Sequence, residues 1–301
     1  MRVSPFVQAR GDAYRVSDLP GTDGSQTYSR ALGVTGLDFS YPFFRALKGG
    51  TVVLEPLAQI AAGSESRRVP IVVGTSGTTT YLYNEDSTSF EFDETNLFRP
   101  DKFPGFDLYE DGARANVGGR ASVLWDDGRR ASVLIGRSFR DTENQVFSTT
   151  SGLTRKASDW VVAADAQPIK GLTLFTRARL DSDSYTLERA EAGANVSLKH
   201  GTGYFRYLRD RADPTGAKVE NVDLGGEVYL SQHWGVTAYG NRDLAQNAWV
   251  IRDLGVVYRD ECTRIDVIYR REDVVIGRLG KTESIAIRLT LATLGGPIYA
   301  N

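Results

Sequence analysis

The residue types that most often perform chemistry are scarce in this sequence. Of its 301 residues, Cys262 is the only cysteine, and His200 and His233 are the only histidines. There is no G-x-S-x-G nucleophile motif and no H-E-x-x-H zinc motif. The carboxylate pairs at 93–94 and 110–111 have the spacing for acid–base chemistry, but solvated or cation-binding loop residues show the same pattern. We therefore expect no enzymatic activity, no metal site and no cofactor.

Arginine dominates the basic residues, since 29 of the 36 are Arg and 7 are Lys. The guanidinium group donates paired hydrogen bonds to carboxylate and phosphate oxygens, whereas the lysine ammonium acts as a point charge. The formal net charge of -2 at pH 7 excludes a strongly basic nucleic-acid binder. The arginine bias therefore favours contacts that use the planar, fork-shaped donor.

The elements that must position these side chains are strands. Residues 113–125 alternate, with Ala113 and Val117 on one face and Arg114 and Asn116 on the other. An Asp-Gly turn signal at 127–128 leads into a second alternating run, which predicts an antiparallel hairpin. The same period predicts about 14 strands, at 2–16, 27–43, 50–62, 113–125, 129–139, 158–167, 172–181, 190–199, 202–210, 221–232, 234–243, 249–260, 263–272 and 283–293.

Strand length separates two kinds of all-β fold. Strands of soluble proteins average about 5 to 6 residues, whereas a tilted membrane strand needs about 9 to 11. The long alternating runs predict an antiparallel transmembrane β-barrel of the outer-membrane type, with a soluble sandwich or solenoid as the alternative. On this prediction Val117, Ala121, Ala192, Ala194 and Val196 face lipid. The polar face would line a hydrated lumen, and its candidates are Arg114, Arg120, Arg177, Arg179, Asp181, Arg206, Glu227, Arg264, Asp266 and Arg288.

Several segments resemble the LPS-assembly protein LptD family. FDETNLFRPDKFPGFDLYEDG at 92–112, directly before an alternating strand, is similar to a characteristic family segment. LEP at 54–56 is similar to another. DLGVVYRDECTRIDVIYRRE at 253–272 and SIAIRLTLATLGG at 284–296 are similar to the closing hairpin of the family barrel. The resemblance covers about residues 30–296.

This resemblance implies a translocon barrel in the Gram-negative outer membrane that inserts lipopolysaccharide (LPS) into the outer leaflet. It implies LPS as the substrate and outer-membrane lipids as the surroundings. The implied protein partners are the periplasmic LPS bridge protein LptA and the plug lipoprotein LptE. Cys262 matches a family cysteine that pairs with one in the N-terminal region, so Cys262 is a disulfide candidate to a region missing from this chain.

The chain departs from the family plan in three respects. It shows no β-jellyroll ahead of its strands, residues 1–20 contain no secretory signal, and about 14 strands are fewer than the family barrel has. We therefore expect residues 1–301 to form the C-terminal portion of a larger barrel, as one domain with a long loop at about 64–111. We also expect that the first strand, at 2–16, and the last strand, at 284–293, do not pair along their length.

Three other functions remain open. The chain could be a general diffusion porin or structural barrel, a soluble all-β binding module, or an outer-membrane enzyme such as a lipid A deacylase or protease. Segment 64–111 bears on the first, because long connections in compact folds are often functional. A porin constriction loop would fold inward with clustered charge, whereas a loop of the resembled family would cap the barrel.

Overall fold

The computed structural model describes residues 1–17, 25–65, 70–73, 79–82, 84, 86, 91–211, 218–273 and 281–291. Every regular element in these ranges is a β-strand, and neighbouring strands pair antiparallel. The described part of the chain contains no helix that is long and apolar enough to cross a membrane. The predicted all-β antiparallel fold is confirmed.

The strands follow one another closely along the chain. Their bounds are β1 Arg2–Val16, β2 Gln26–Ser40, β3 Phe43–Leu47, β4 Gly50–Gly63, β5 Pro70–Val73, β6 Thr79–Leu82, β7 Gly112–Trp125, β8 Arg130–Arg140, β9 Trp160–Ile169, β10 Leu172–Leu180, β11 Leu187–Leu198, β12 Gly201–Asp210, β13 Val219–Tyr229, β14 Trp234–Asp243, β15 Ala248–Arg259, β16 Thr263–Glu272 and β17 Thr282–Leu291.

Fifteen strands belong to one sheet. Its order is β1-β2-β4-β7-β8-β9-β10-β11-β12-β13-β14-β15-β16-β17, with β3 paired to β4, while β5 and β6 form a separate pair. The ordered path holds the same number of strands as the sequence predicts. β1 and β17 end this order, and the described residues contain no pairing between them. The sheet is thus not closed within the described residues and is consistent with part of a barrel. Residues 292–296 of the predicted closing segment lie outside the described ranges.

The predicted strand 27–43 is interrupted in the structure. β2 pairs with β4 from Ser40 opposite Leu57, and β3 resumes the same register with Phe43 opposite Leu54. Pro42 lies in the interruption and Pro56 lies opposite it. Because proline has no N–H to donate, the ladder cannot be completed there.

The connections alternate between the two ends of the strands, because each strand runs antiparallel to the next. At one end they contain two to four residues, as at 48–49, 126–129, 170–171, 199–200, 230–233 and 260–262. At the other end they contain four to 48 residues, as at 17–25, 64–111, 141–159, 181–186, 211–218, 244–247 and 273–281. The two ends are therefore unequal in the amount of chain that they carry.

The chain divides into two compact units. One comprises Met1–Val123, Ser132–Ala163 and Ala178–Leu187, and the other comprises Leu124–Ala131, Ala164–Arg177 and Glu188–Asn301. We refer to them as unit 1 and unit 2 and describe each separately.

The exposed face of the unit 2 strands is apolar. A row of aliphatic side chains in direct register crosses five strands, and each is 40% to 74% exposed: Val228, Val236, Val256, Val267 and Ile287. Ala194 is opposite Phe205 on this same face, whereas Asn195 is opposite Tyr204 on the other face. An alternation with apolar side chains outward and polar side chains inward is typical of a membrane barrel. A soluble sandwich shows the reverse.

Unit 1 likewise has exposed apolar side chains on one face of its strands and buried polar side chains on the other. Leu37 and Ile60 are cross-strand neighbours and are both exposed, whereas Gln59 and Asn116, on the opposite face, are buried. Val117, predicted to face lipid, is also exposed. The polar face of unit 1 is covered by chain that connects the strands, and this covering forms the candidate site.

Candidate functional site

Segment 91–111 packs onto the polar face of unit 1 through apolar side chains. Phe92, Leu97, Phe103 and Leu108 are buried in one cluster with Leu134 of β8. Further members come from connection 141–159 and from β9: Phe147, Leu153, Val161 and Ala163. The burial of these groups holds the segment against the strands. Residues 66–69, 74–78, 83, 85 and 87–90 of the long connection lie outside the described ranges.

A buried charge cluster lies under this segment. The Glu110 carboxylate accepts a 2.8 Å hydrogen bond from Nη2 of Arg140 and lies 3.4 Å from Nζ of Lys102. Nε of Arg114 lies 3.6 Å from Oε2 of Glu110. Nζ of Lys102 also lies 3.3 Å from Oδ1 of Asn116. The charged side chains are 0% to 5% exposed, so one carboxylate is surrounded by three cations away from water.

Burial and these charges shift the protonation equilibria of the segment. Burial lowers the pKa of Lys102 to about 8, and the Glu110 carboxylate only partly offsets this. Burial raises the pKa of Asp101 to about 6. Burial alone would raise the pKa of Glu110, but Lys102, Arg114 and Arg140 together hold it below its usual value. Glu110 therefore stays ionised as the neutralising centre of the cluster.

A second anchor holds residues 105–108. The Asp86 carboxylate accepts hydrogen bonds from the backbone N–H groups of Phe106, Asp107 and Leu108, at 2.7 to 3.0 Å. A Cβ at Gly105 would overlap with that carboxylate, so any larger residue there would have to displace it. The Arg30 guanidinium of β2 donates to the Phe106 carbonyl, and to that of Asp107 at 2.7 Å. The tip of the segment is thus fixed to β2.

This geometry bears on the porin hypothesis. Segment 91–111 packs inward and its charges are clustered, as the sequence criterion for a porin constriction loop requires. However, these charged side chains are buried and contact one another, so they are not exposed to solvent in the part of the chain that the structure describes. The sequence interpretation of the pair 110–111 as solvated or cation-binding is wrong for Glu110, because its partners are three cationic side chains.

The polar face of unit 2 carries an ionic network. Nη2 of Arg264 lies 2.5 Å from Oε2 of Glu227, and its Nε donates to Asp266 at 3.0 Å. Asp266 is 2% exposed. Arg288, another of the predicted lumen residues, is opposite Asp266 in the register and is exposed. Four of the predicted lumen residues therefore lie together.

The remaining candidates are spread over several environments. Arg206 pairs with Glu191 at 2.8 Å, Arg177 with Asp165 at 2.9 Å, and the half-exposed Arg120 with Glu55 at 3.4 Å. Arg114 and Arg179 are buried, the latter 3.1 Å from Asp159. Asp181 follows β10, where its carboxylate accepts the backbone N–H groups of Asp183 and Ser184. A lumen-lining role for all ten stays a prediction.

Cys262 lies in the short connection between β15 and β16. Its thiol is free and exposed, and its backbone N–H donates to the Asp260 carboxylate at 2.9 Å. Lys102 and Arg140 were not predicted as site residues from sequence. The motif 92–112 marked their neighbourhood, but no spacing in it indicated an ion pair with Glu110.

A path of fourteen antiparallel strands with an apolar outer face and a polar inner face defines a protein of the outer-membrane β-barrel class. The LptD family model, described as LPS transport system D, matches residues 1–244. The chain therefore belongs to the LptD family, and the resemblance seen in the sequence is confirmed.

Two relatives show the extent of the similarity. The LPS-assembly protein LptD of Pseudoalteromonas atlantica (strain T6c) is 24% identical over 268 residues, which cover 86% of this chain and 33% of that protein. The protein of the same name from Saccharophagus degradans (strain 2-40) is 24% identical over 206 residues, which cover 62% of this chain and 24% of that protein. The chain spans about a third or less of the length of these relatives.

Solved structures show only weak overall similarity. A mutant of the Rh. blastica porin is 13% identical with a TM-score of 0.31, covering 95% of this chain and 98% of that one. The copper transporter OprC is 12% identical with a TM-score of 0.34, covering 95% of this chain and 53% of that one. Scores this low carry no argument about function.

Proposed function

We propose that this chain is part of an outer-membrane barrel that assembles LPS into the outer leaflet of a Gram-negative cell. The observation that carries the proposal is the family match over residues 1–244, on a sheet whose outer face is apolar and whose inner face is rich in arginine. The polar face then faces a hydrated lumen, and the apolar face contacts the outer-membrane lipids.

The charges of the polar face suit one part of LPS and reject the other. Arginine forks bind phosphate bidentately, so arginines of the polar face would contact the phosphorylated, sugar-rich part of the lipid. A charged face is a poor solvent for hydrocarbon, so the acyl chains must leave between strands. The protein would move LPS without making or breaking bonds.

The connections are short at one end of the strands and long at the other, which suggests how the protein is oriented in the membrane. Outer-membrane barrels have short periplasmic turns and longer extracellular loops. On this rule segment 91–111 covers the extracellular end of the polar face, and Cys262 lies on the periplasmic side. We place the disulfide of Cys262 to another region of a longer protein on that side, together with LptA, and we place LptE in the lumen.

The proposal is tested by following newly made LPS to the cell surface with a label that cannot cross the membrane. Depletion of the protein should stop labelling, and Arg264→Glu should slow it, because it puts a third carboxylate beside Glu227 and Asp266. Arg129→Glu is the matched control, since Arg129 lies in an exposed turn. Normal labelling after depletion would contradict the proposal.

The porin hypothesis has its own outcome in this design. The inward packing of segment 91–111 is the observation that favours it. If the purified protein conducts ions through a wide pore in planar bilayers, and LPS labelling is normal without it, the porin replaces the LPS translocon as the best account.

A further inference from the structure

Two tyrosines flank a glycine on the polar face of unit 2. In the register of β12, β13 and β14, Tyr204 is opposite Gly225, and Gly225 is opposite Tyr239. A Cβ at Gly225 would lie 2.7 Å from Cε1 of Tyr204 and 3.1 Å from its Cζ and Oη. The Tyr204 ring therefore lies across the bare backbone of Gly225. Tyr204 remains 42% exposed, so part of the ring is open to the polar side.

Polar side chains surround this ring. A cavity of about 470 Å³ is lined by both tyrosines together with Asn195, Thr202, Glu227 and Thr237. The strand register places these groups on the same face of the sheet as the Tyr204 ring. Asn195 is opposite Tyr204, and Glu227 lies between Thr202 and Thr237. The volume is within the range of about 300 to 1,000 Å³ typical of small-ligand sites.

The rim groups are held in place by contacts outside the cavity. Glu227 is fixed by Arg264, which lies 2.5 Å away. The Tyr239 hydroxyl donates to Asp223 at 3.3 Å, and Asn241 donates to the same carboxylate. The cavity therefore presents a fixed aromatic surface beside oriented oxygen acceptors.

The chemistry of this lining selects among ligands. No lysine or arginine lines the cavity, and its one carboxylate, Glu227, is already paired with Arg264, so the lining offers no cation to a phosphate group. A hydrocarbon chain would leave the amide, hydroxyl and carboxylate groups without partners, which is costly. A neutral sugar ring satisfies both parts of the site, because its C–H face packs on an aromatic ring and its hydroxyls donate to oxygen acceptors.

We propose that Tyr204 is the stacking platform of a site for a neutral saccharide unit on the polar face of β11–β14. The inference rests on the proposed function and deepens it, since LPS that passes this face would present sugars to it. Tyr204, Gly225 and Asn195 thereby acquire a binding role, and none of them is among the predicted lumen residues.

The test measures binding of lipid-free oligosaccharide, released from LPS by mild acid, to the intact protein in detergent by equilibrium dialysis. Tyr204→Ala should weaken binding about tenfold, because it removes the platform. Tyr204→Phe should bind nearly as well as the unmodified protein, since it keeps the ring. Tyr207→Ala is the matched control, because Tyr207 lies on the opposite face of the same strand, and it should bind normally.

A second test uses two glycine variants, of which only one should move the Tyr204 ring. Gly225→Ala should push the Tyr204 ring aside and weaken binding. Gly203→Ala should not, because its Cβ would meet only the Gly225 carbonyl oxygen, at 3.5 Å, and points to the other face. Equal binding by Tyr204→Ala and the unmodified protein, or equal loss in Tyr204→Ala and Tyr207→Ala, would overturn the proposal.

Two further arms separate this inference from the proposed function. Maltoheptaose serves as an unrelated neutral sugar, and tighter binding of the LPS oligosaccharide identifies LPS as the source. If both sugars bind in a Tyr204-dependent way but LPS labelling is normal after depletion, the saccharide site is supported and the role in LPS assembly is refuted. Depletion that stops LPS labelling, with sugar binding indifferent to Tyr204, would refute the saccharide site alone.

Discussion

Glu110 is the one carboxylate in contact with three buried cations, so replacing it and replacing one of the cations should have unequal effects. Glu110→Gln keeps the shape of the side chain but removes the negative charge that Lys102, Arg114 and Arg140 share. Lys102→Met removes one cation and leaves Glu110 with Arg140 at 2.8 Å and Arg114 at 3.6 Å. The comparison isolates the charge that holds segment 91–111 in place.

The magnitudes follow from burial. Removing one partner of a buried ion pair costs about 3 to 5 kcal/mol, because the remaining charges stay buried and uncompensated. Glu110→Gln should therefore lower the free energy of unfolding by about that amount. For Lys102, the depressed pKa of about 8 corresponds to about 3 kcal/mol of cost for keeping it charged. Lys102→Met relieves this cost, in which the attraction of Glu110 is already counted, and loses the hydrogen bond to Asn116, so it should destabilise the protein far less than Glu110→Gln does.

The assay is urea-induced unfolding of the intact protein in detergent micelles, followed by tryptophan fluorescence. Asp127→Asn is the control, because the Asp127–Arg129 pair is about half exposed and screened by water, so it should contribute little to stability. The reasoning is refuted if Glu110→Gln costs no more than Asp127→Asn. It is also refuted if Lys102→Met costs more than Glu110→Gln, since Glu110 would then not be the neutralising centre.

Three further outcomes are expected. Ala194→Arg should cost about 2 to 4 kcal/mol near the membrane midplane while Asn195→Arg is tolerated, as measured by folding into bilayers; equal tolerance would abolish the proposed facing. Gly105→Ala should displace the Asp86 carboxylate and make the segment 91–111 more sensitive to limited proteolysis, and unchanged cleavage would contradict this anchor. The folded state releases the Lys102 proton near pH 8 but the unfolded state near pH 10.5, so stability should rise between these values, and urea midpoints should show no such rise in Lys102→Met.

The strands and their faces could be predicted from the sequence because both depend on a local period of two residues. Alternation at 113–125 predicts β7, and the Asp-Gly turn predicts its hairpin with β8, without any knowledge of distant residues. Pro42 is visible in the sequence, but the interruption of the strand also depends on Pro56 lying opposite the gap at 41–42. That placement is set by the register of β4 and could not be predicted from the local sequence. The motif at 92–112 indicated the family, and the family match confirms it.

Only the tertiary structure decided which polar side chains are covered and which remain open. Alternation assigns Arg114 to the polar face, but its burial results from segment 91–111 folding back over β7. The pair of Arg264 with Glu227 joins residues 37 positions apart, and it depends on how the strands of unit 2 align side by side. The Tyr204 platform likewise exists because the register sets a glycine beside the ring. Local period fixes the direction of a side chain, whereas its neighbours and its burial depend on strands and connections that the sheet brings together from distant parts of the chain.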